Sequence, residues 1–121
     1  MITSTMDKTL SAYMALNQIR NKVRGKTALD LFHLKNILKE NIDFLNEEEV
    51  RLVEEHGGKI TESGAILFAD KEKRGAYQKA RTELGEMETE IKADQVTVNL
   101  EQNPEITMQE IEMLDGFVIF E

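Results

Sequence analysis

The chain is expected to adopt a mainly helical α+β fold: a long helical hairpin plus a third helix, a small β-hairpin and an acidic C-terminal strand-helix segment. Three observations carry that expectation. Leu31, Leu38, Leu45 and Leu52 recur at a strict seven-residue interval inside residues 27–56, a stretch without Pro or Gly. The apolar period changes over residues 59–69, around Glu62-Ser63-Gly64. Residues 82–121 carry eleven acidic side chains and one base, Lys92, a formal −10 on a chain whose total is −8. The first 81 residues sum to +2, from fourteen bases and twelve acids, so acidity is segregated to one end. Such segregation bears on partners rather than on reaction chemistry.

The first helix is predicted over residues 8–24. Leu10, Tyr13, Leu16, Ile19 and Val23 recur every three or four residues and define one apolar face. Asp7 is its expected N-cap and Gly25 its C′ residue. The second helix runs from Thr27, with Asp30 three residues on as an approximate capping box, to His56, where Gly57-Gly58 stop it. Thirty residues at 1.5 Å each give a rod of about 45 Å. Its heptad leucines form a coiled-coil-like seam, and Leu34, Ile37, Ile42 and Phe44 widen the seam into a stripe that meets more than one neighbour. Asn41 and Glu48 fall at the complementary seam positions: a buried Asn41 would set register, and a solvated one would carry no meaning.

Residues 59–69 read as a short β-hairpin or extended loop, with Ile60 and then Ala65-Ile66-Leu67-Phe68 around Glu62-Ser63-Gly64. Asp70 then caps a third helix over residues 71–93, whose seam is Tyr77, Ala80, Leu84, Met87 and Ile91. Gly75 and Gly85 each weaken that helix by roughly 1 kcal/mol relative to Ala, so it must draw stability from packing. Residues 95–100 alternate polar and apolar, the pattern of a half-buried strand. Beyond Pro104, Thr107 and Glu110 make a capping box for a short helix over residues 108–114. Gly116 ends it, and Phe117-Val118-Ile119-Phe120 forms a closing strand. No internal repeat or linker divides the chain, so residues 1–121 read as a single domain.

Composition excludes several classes of function. The absence of cysteine removes disulfides, thiolate metal sites and cysteine nucleophiles. The first residues have no charged segment followed by an apolar one, unlike a signal peptide, and no apolar run approaches the ~20 residues that cross a bilayer. The expected location is the cytoplasm of a host cell. Net negative charge disfavours nucleic acid and anionic membrane surfaces as partners.

The order of elements, with the stretches "LSAYMALNQI", "VRLVEEHGGKITESGAILF" and "IKADQVTVNLEQNPEITMQEIEMLDGFVIFE", resembles a family of small uncharacterised phage and prophage proteins. The resemblance covers most of the chain and rests on structural patterns. It departs in a second helix without the usual internal basic pattern and in a more apolar last four residues. It implies a viral or prophage origin and an accessory role, and brings no catalytic residues.

Arg20, Lys22, Arg24 and Lys26 are the candidate anion or partner contact, since clustered cations hold phosphate or an acidic surface. The simpler explanation is that cations are favoured at a helix C-terminus. Lys71, Lys73, Arg74, Lys79 and Arg81 form a second basic group, locally unfavourable at a helix start, that could meet the acidic tail or simply be a solvated face. The tail could mimic nucleic acid, but its carboxylates alternate with Val96, Val98, Ile106, Ile111 and Leu114, as on an ordinary half-solvated surface. A calcium loop at Asp70 fails, because Arg74 and Arg81 occupy ligand positions. His33 and His56 lack partners at zinc spacing. Glu47-Glu48-Glu49 and Glu54-Glu55 read as solvated helix surface, and no nucleophile or acid–base pair stands out.

No enzyme, cofactor or metal is therefore expected. The leading reading is a non-enzymatic phage or prophage accessory protein acting through protein–protein contacts, as inhibitor or adaptor for a host factor. Its expected partners are itself, as a homo-oligomer and most simply a dimer, and a host protein. The alternatives are an oligomer that sequesters a small nucleotide with the Arg20–Lys26 cations, and a minor virion or assembly component.

Overall fold

The computed structural model describes all 121 residues, Met1–Glu121. The order is β1 (Ile2–Thr5), α1 (Met6–Ile19), α2 (Gly25–Glu55), β2 (Lys59–Ile60), β3 (Ile66–Leu67), α3 (Lys71–Glu86), β4 (Glu88–Ile91), β5 (Val96–Val98), α4 (Met108–Met113) and β6 (Val118–Phe120). The fold is mainly helical α+β, with three separate two-stranded sheets.

Helix α2 is the spine, and α1 returns along its first half as the other arm of a hairpin. Leu31, Leu34 and Leu38 of α2 join Ala12, Ala15, Leu16 and Ile19 of α1 in the main core. At the start of α1, Met6 packs with Leu45 and Leu84. The heptad leucines thus spend their seam inside the chain: Leu31, Leu38 and Leu45 are buried and Leu52 is half-buried. An excess of seam on this helix is therefore no ground for a dimer.

Several helix ends differ from expectation, each for a local reason. Helix α1 starts at Met6 because Thr5 caps it: the Thr5 hydroxyl accepts from the Lys8 amide, and Thr9 Oγ1 donates to the Thr5 carbonyl at 2.8 Å. Asp7 is not the cap. The helix stops at Ile19 rather than Arg24, where the Lys22 amide donates back to the Ile19 carbonyl and turns the chain. Gly25 does not close α1; with φ +64° it opens α2, whose N-cap Arg24 supplies no side-chain bond, so Thr27 forms no capping box. The other end of α2 behaves as expected. Gly57, at φ +72°, donates to the Glu54 carbonyl and Gly58 to the Val53 carbonyl, a Schellman closure. Gly58 has no room for a side chain between Phe68 and Val53.

The hairpin forms, antiparallel, with Lys59 opposite Leu67 and Ile60 opposite Ile66. Asp70 caps α3 through the Lys73 amide at 2.8 Å. The third helix ends at Glu86, however, and not at residue 93. Residues 88–91 leave the helical period because β1, which no sequence pattern announced, takes them as an antiparallel partner, with Ile2 opposite Ile91 and Thr5 opposite Glu88. Ile91 reaches the core from a strand, and Met87 is left exposed.

The acidic C-terminal strand-helix segment is part of the main core. Val98, Ile106, Leu114, Phe117 and Val118 are all buried in the main core, and Phe117 is among its largest enclosed side chains. Strand β5 pairs in parallel with β6, Val96 opposite Val118, and the α4 crossover carries the expected Thr107–Glu110 capping box. Asn41, half-buried, donates to Thr89 Oγ1 at 3.3 Å and so fastens α2 to β4 within one chain.

Candidate functional site

The four candidate cations fall on the turn between α1 and α2, and the fold disperses them. Arg20 is the C-cap of α1. Lys22 Nζ donates to both Glu110 oxygens, at 2.8 and 3.0 Å. Arg24 Nη1 donates to the carbonyls of Asn21 and Val23, at 3.0 and 3.2 Å. Lys26 lies exposed in the first turn of α2. Two of the four are engaged within the chain, so they do not converge on one anion.

Glu110 is the tail residue that meets this basic run, at 3% exposure. It closes its own capping box, since its Oε1 accepts from the Thr107 amide while its amide donates to the Thr107 hydroxyl. Burial alone would push its carboxyl pKa up; the bonds from Lys22 and Thr107 outweigh that and hold it below the ordinary carboxylate range. In the second basic group Lys71, Lys73, Arg74 and Lys79 lie on a solvated face, as the simpler reading expects, and none pairs with the acidic tail; Arg81 alone is paired, with Asp7 at 3.0 Å and with Glu49. Burial acts to lower the Arg81 pKa, yet hydrogen bonds to Glu49 and Asp7 raise it overall. The neighbouring Tyr77 hydroxyl is pushed up, first by burial and then by the Glu49 charge, against a smaller opposing effect of Arg81.

What the turn does build is a groove. Leu16, Ile19 and Val23 face Ala28, Leu31 and Phe32 across an opening of about 240 Å³, with Arg20 and Lys35 at its rim. The Lys35 ammonium stands 5.7 Å from the centre of the Tyr13 ring, a cation–π distance that keeps it over the surface. Phe32 is 55% exposed at the edge of this groove. Leu29, Ile37, Phe44 and Val50 are further large apolar residues of α2 left open to solvent. An apolar floor with cations on the rim suits an apolar side chain flanked by carboxylates; it offers no nucleophile or proton-transfer pair.

Sequence reasoning took Ile37 and Phe44 as part of the buried stripe and passed over Phe32, Leu29 and Lys35. The available signal was phase. Phe32 and Leu29 lie off the Leu31–Leu34–Leu38 repeat, on positions that a solvated helix face would fill with polar residues. No group of three His, Cys, Asp or Glu side chains gathers closely enough to hold a metal ion. His56 Nδ1 lies 2.8 Å from the Leu52 carbonyl, closing its own helix end. No helix is long and apolar enough to cross a membrane.

No protein-family model, no curated protein and no solved structure matches the chain.

Proposed function

We propose that this chain is a non-enzymatic accessory protein that works through protein–protein contacts, as an inhibitor or adaptor for a host factor. The observation that carries the reading is the set of apolar side chains that α2 leaves open: Ile37 and Phe44, seven residues apart on one side, and Leu29, Phe32 and Val50, of which Phe32 edges the apolar groove. Apolar area left outside a well-satisfied core costs free energy in water and gains it back when a partner covers it. Every buried side-chain polar atom has a hydrogen-bond partner, so the core itself is complete and the open residues are surplus to it. The acidic tail adds a strongly negative surface that favours a basic partner. The phage or prophage setting rests on the resemblance of the quoted stretches. The nucleotide-sequestering alternative draws less support, because Lys22 and Arg24 are already engaged.

The test is a tagged pull-down from bacterial lysate with mass spectrometry, comparing the natural chain with Ile37→Asp/Phe44→Asp, a pair outside the Phe32–Val50 side of the helix. One stoichiometric, salt-sensitive host protein, lost in the variant, is the expected result. Retention of the same protein by both chains would move the contact off that side of α2. Recovery of the bait alone would remove the host factor from the reading.

A further inference from the structure

The charges of α2 run against the helix they sit on. From Gly25 to Lys39 the helix carries three lysines and one aspartate; from Glu40 to Glu55 it carries seven acids and one arginine. Neither an acid in the first turn nor a base in the last turn complements the macrodipole. A helix prefers acids at its N-terminus and bases at its C-terminus, so this arrangement is locally unfavourable at both ends. An antiparallel neighbour of the same charge pattern would reverse the sign of the effect.

One face of α2 has the symmetry such a neighbour requires. Phe32, Lys35, Lys39, Asp43, Asn46 and Val50 follow one another at steps of three and four and so share a side of the helix. All are exposed except Lys35, which is half-buried over Tyr13. About position 41 the face is a chemical palindrome. Phe32 and Val50 are equidistant from it, apolar with apolar; Lys35 and Glu47, and Lys39 and Asp43, are equidistant with opposite charge. Asn36 and Asn46 form a further equidistant pair of amides. Lys35, Lys39, Asp43 and Glu47 join none of the ion pairs within the chain. Asn41 itself turns inward to Thr89, which leaves the axis level clear on the outer side.

The geometry points to a second copy of this chain as the occupant of that face: a two-fold dimer in which α2 packs antiparallel against α2 of its partner, centred at the level of residue 41. A two-fold axis brings each pair together twice, so one interface holds four lysine–carboxylate contacts and two Phe–Val contacts. Val50 of the second copy then covers the exposed edge of Phe32 and the mouth of the groove. With few apolar residues and exposed ion pairs, the dimer is a micromolar one that weakens as salt rises. The proposal rests on the reading of the chain as an interaction protein and names one partner for its open face.

Sedimentation equilibrium on the purified natural chain, with no host protein present, tests it. The natural chain is expected at twice 13.8 kDa, with a dissociation constant that rises by about tenfold between low salt and 1 M, where screening falls to about 3 Å. Lys35→Glu/Lys39→Glu alone and Asp43→Lys/Glu47→Lys alone are each expected to be monomeric, because each opposes like charges across the axis. Mixed one to one, the two variants restore every pair and are expected to form a heterodimer. Circular dichroism confirms that each variant keeps its helices. A natural chain that stays monomeric to hundreds of micromolar overturns the proposal. So do variants that dimerise alone, or monomeric variants that fail to pair when mixed. A confirmed dimer covers Phe32 and Val50 and leaves Ile37 and Phe44 open, so capture of a host factor is decided separately by the pull-down.

Discussion

The two halves of α2 are held by cores of very different size, fifteen buried residues against three. Along its first half, Leu31, Leu34 and Leu38 meet α1, β4 and the tail strands in a continuous apolar core that closes on Phe117 and Leu114. Along its second half, the helix runs beyond α1 and is covered by α3 and the hairpin. There a smaller buried cluster of Met6, Leu45 and Leu84, with Val53 also enclosed, is joined by a Phe68–Tyr77 ring pair at 5.1 Å, His56 edge-on to Tyr77 at 6.4 Å, and the ionic link from Arg81 to Glu49 and Asp7. Helix length alone therefore says little about rigidity. The first half draws on a large buried core; the second draws on a three-residue cluster and a few partly solvated contacts, which open locally at lower cost.

The comparison breaks most visibly at the tail. Phe117→Ala is expected to cost about 3–5 kcal/mol, whereas Phe68→Ala at the far end, half-buried, should cost under about 2 kcal/mol. Urea denaturation of both variants measures the gap, and equal losses would mean that the two halves form one core. Glu110→Ala comes next, at about 2–3 kcal/mol, because it strands Lys22 and removes the α4 capping box. The same carboxylate sets an acid limb. Its folded-state pKa lies below the ordinary value, so its contribution is present above pH ~4.3 and is lost as pH falls through the lowered value. Melting curves between pH 6 and pH 3 should steepen for the natural chain and flatten for Glu110→Gln.

Gly85→Ala sharpens the contrast at the junction of the halves. A methyl there would overlap the Asp7 carboxylate, which must swing out of its pair with Arg81; the helix propensity gained offsets part of this, and the net loss is expected at about 1–2 kcal/mol. Asp7→Ala in the same chain should restore most of it; no recovery would place the strain elsewhere. The smallest effect is that of Arg81→Met, about 1 kcal/mol after allowance for solvent around Asp7, which is half exposed. Its signature is spatial: amide exchange should accelerate over α3 and the hairpin while residues 31–42 keep their protection. Uniform acceleration would show that the ionic link supports the whole molecule.

Much of this architecture is legible in local chemistry. The Gly57-Gly58 stop, the Asp70 cap, the Thr107–Glu110 box and the alternation of Val96 and Val98 each depend on neighbours within a few residues, and each forms as expected. Strand β1 was not legible, since Ile2-Thr3-Ser4-Thr5 acquires its strand character only from Glu88–Ile91, more than eighty positions away. That same pairing shortened α3, because residues 88–91 satisfy a helical period in isolation and a strand register in context. Of the candidate site, Arg20 was legible as a surface cation. The engagement of Lys22 by Glu110 was not, because it joins positions 88 apart.

Helix ends, turn types, the leucine stripe and the segregation of charge follow from the order of residues, since each involves interactions over a turn or two. Which segments share the core is a matter of long-range packing. An acidic tail reads as surface until Phe117 and Leu114 are seen to close the interior, and the Phe32–Lys35–Lys39 face reads as scattered exposure until α1 leaves it uncovered. Burial is set by what else occupies the space, and a one-dimensional pattern holds no record of that.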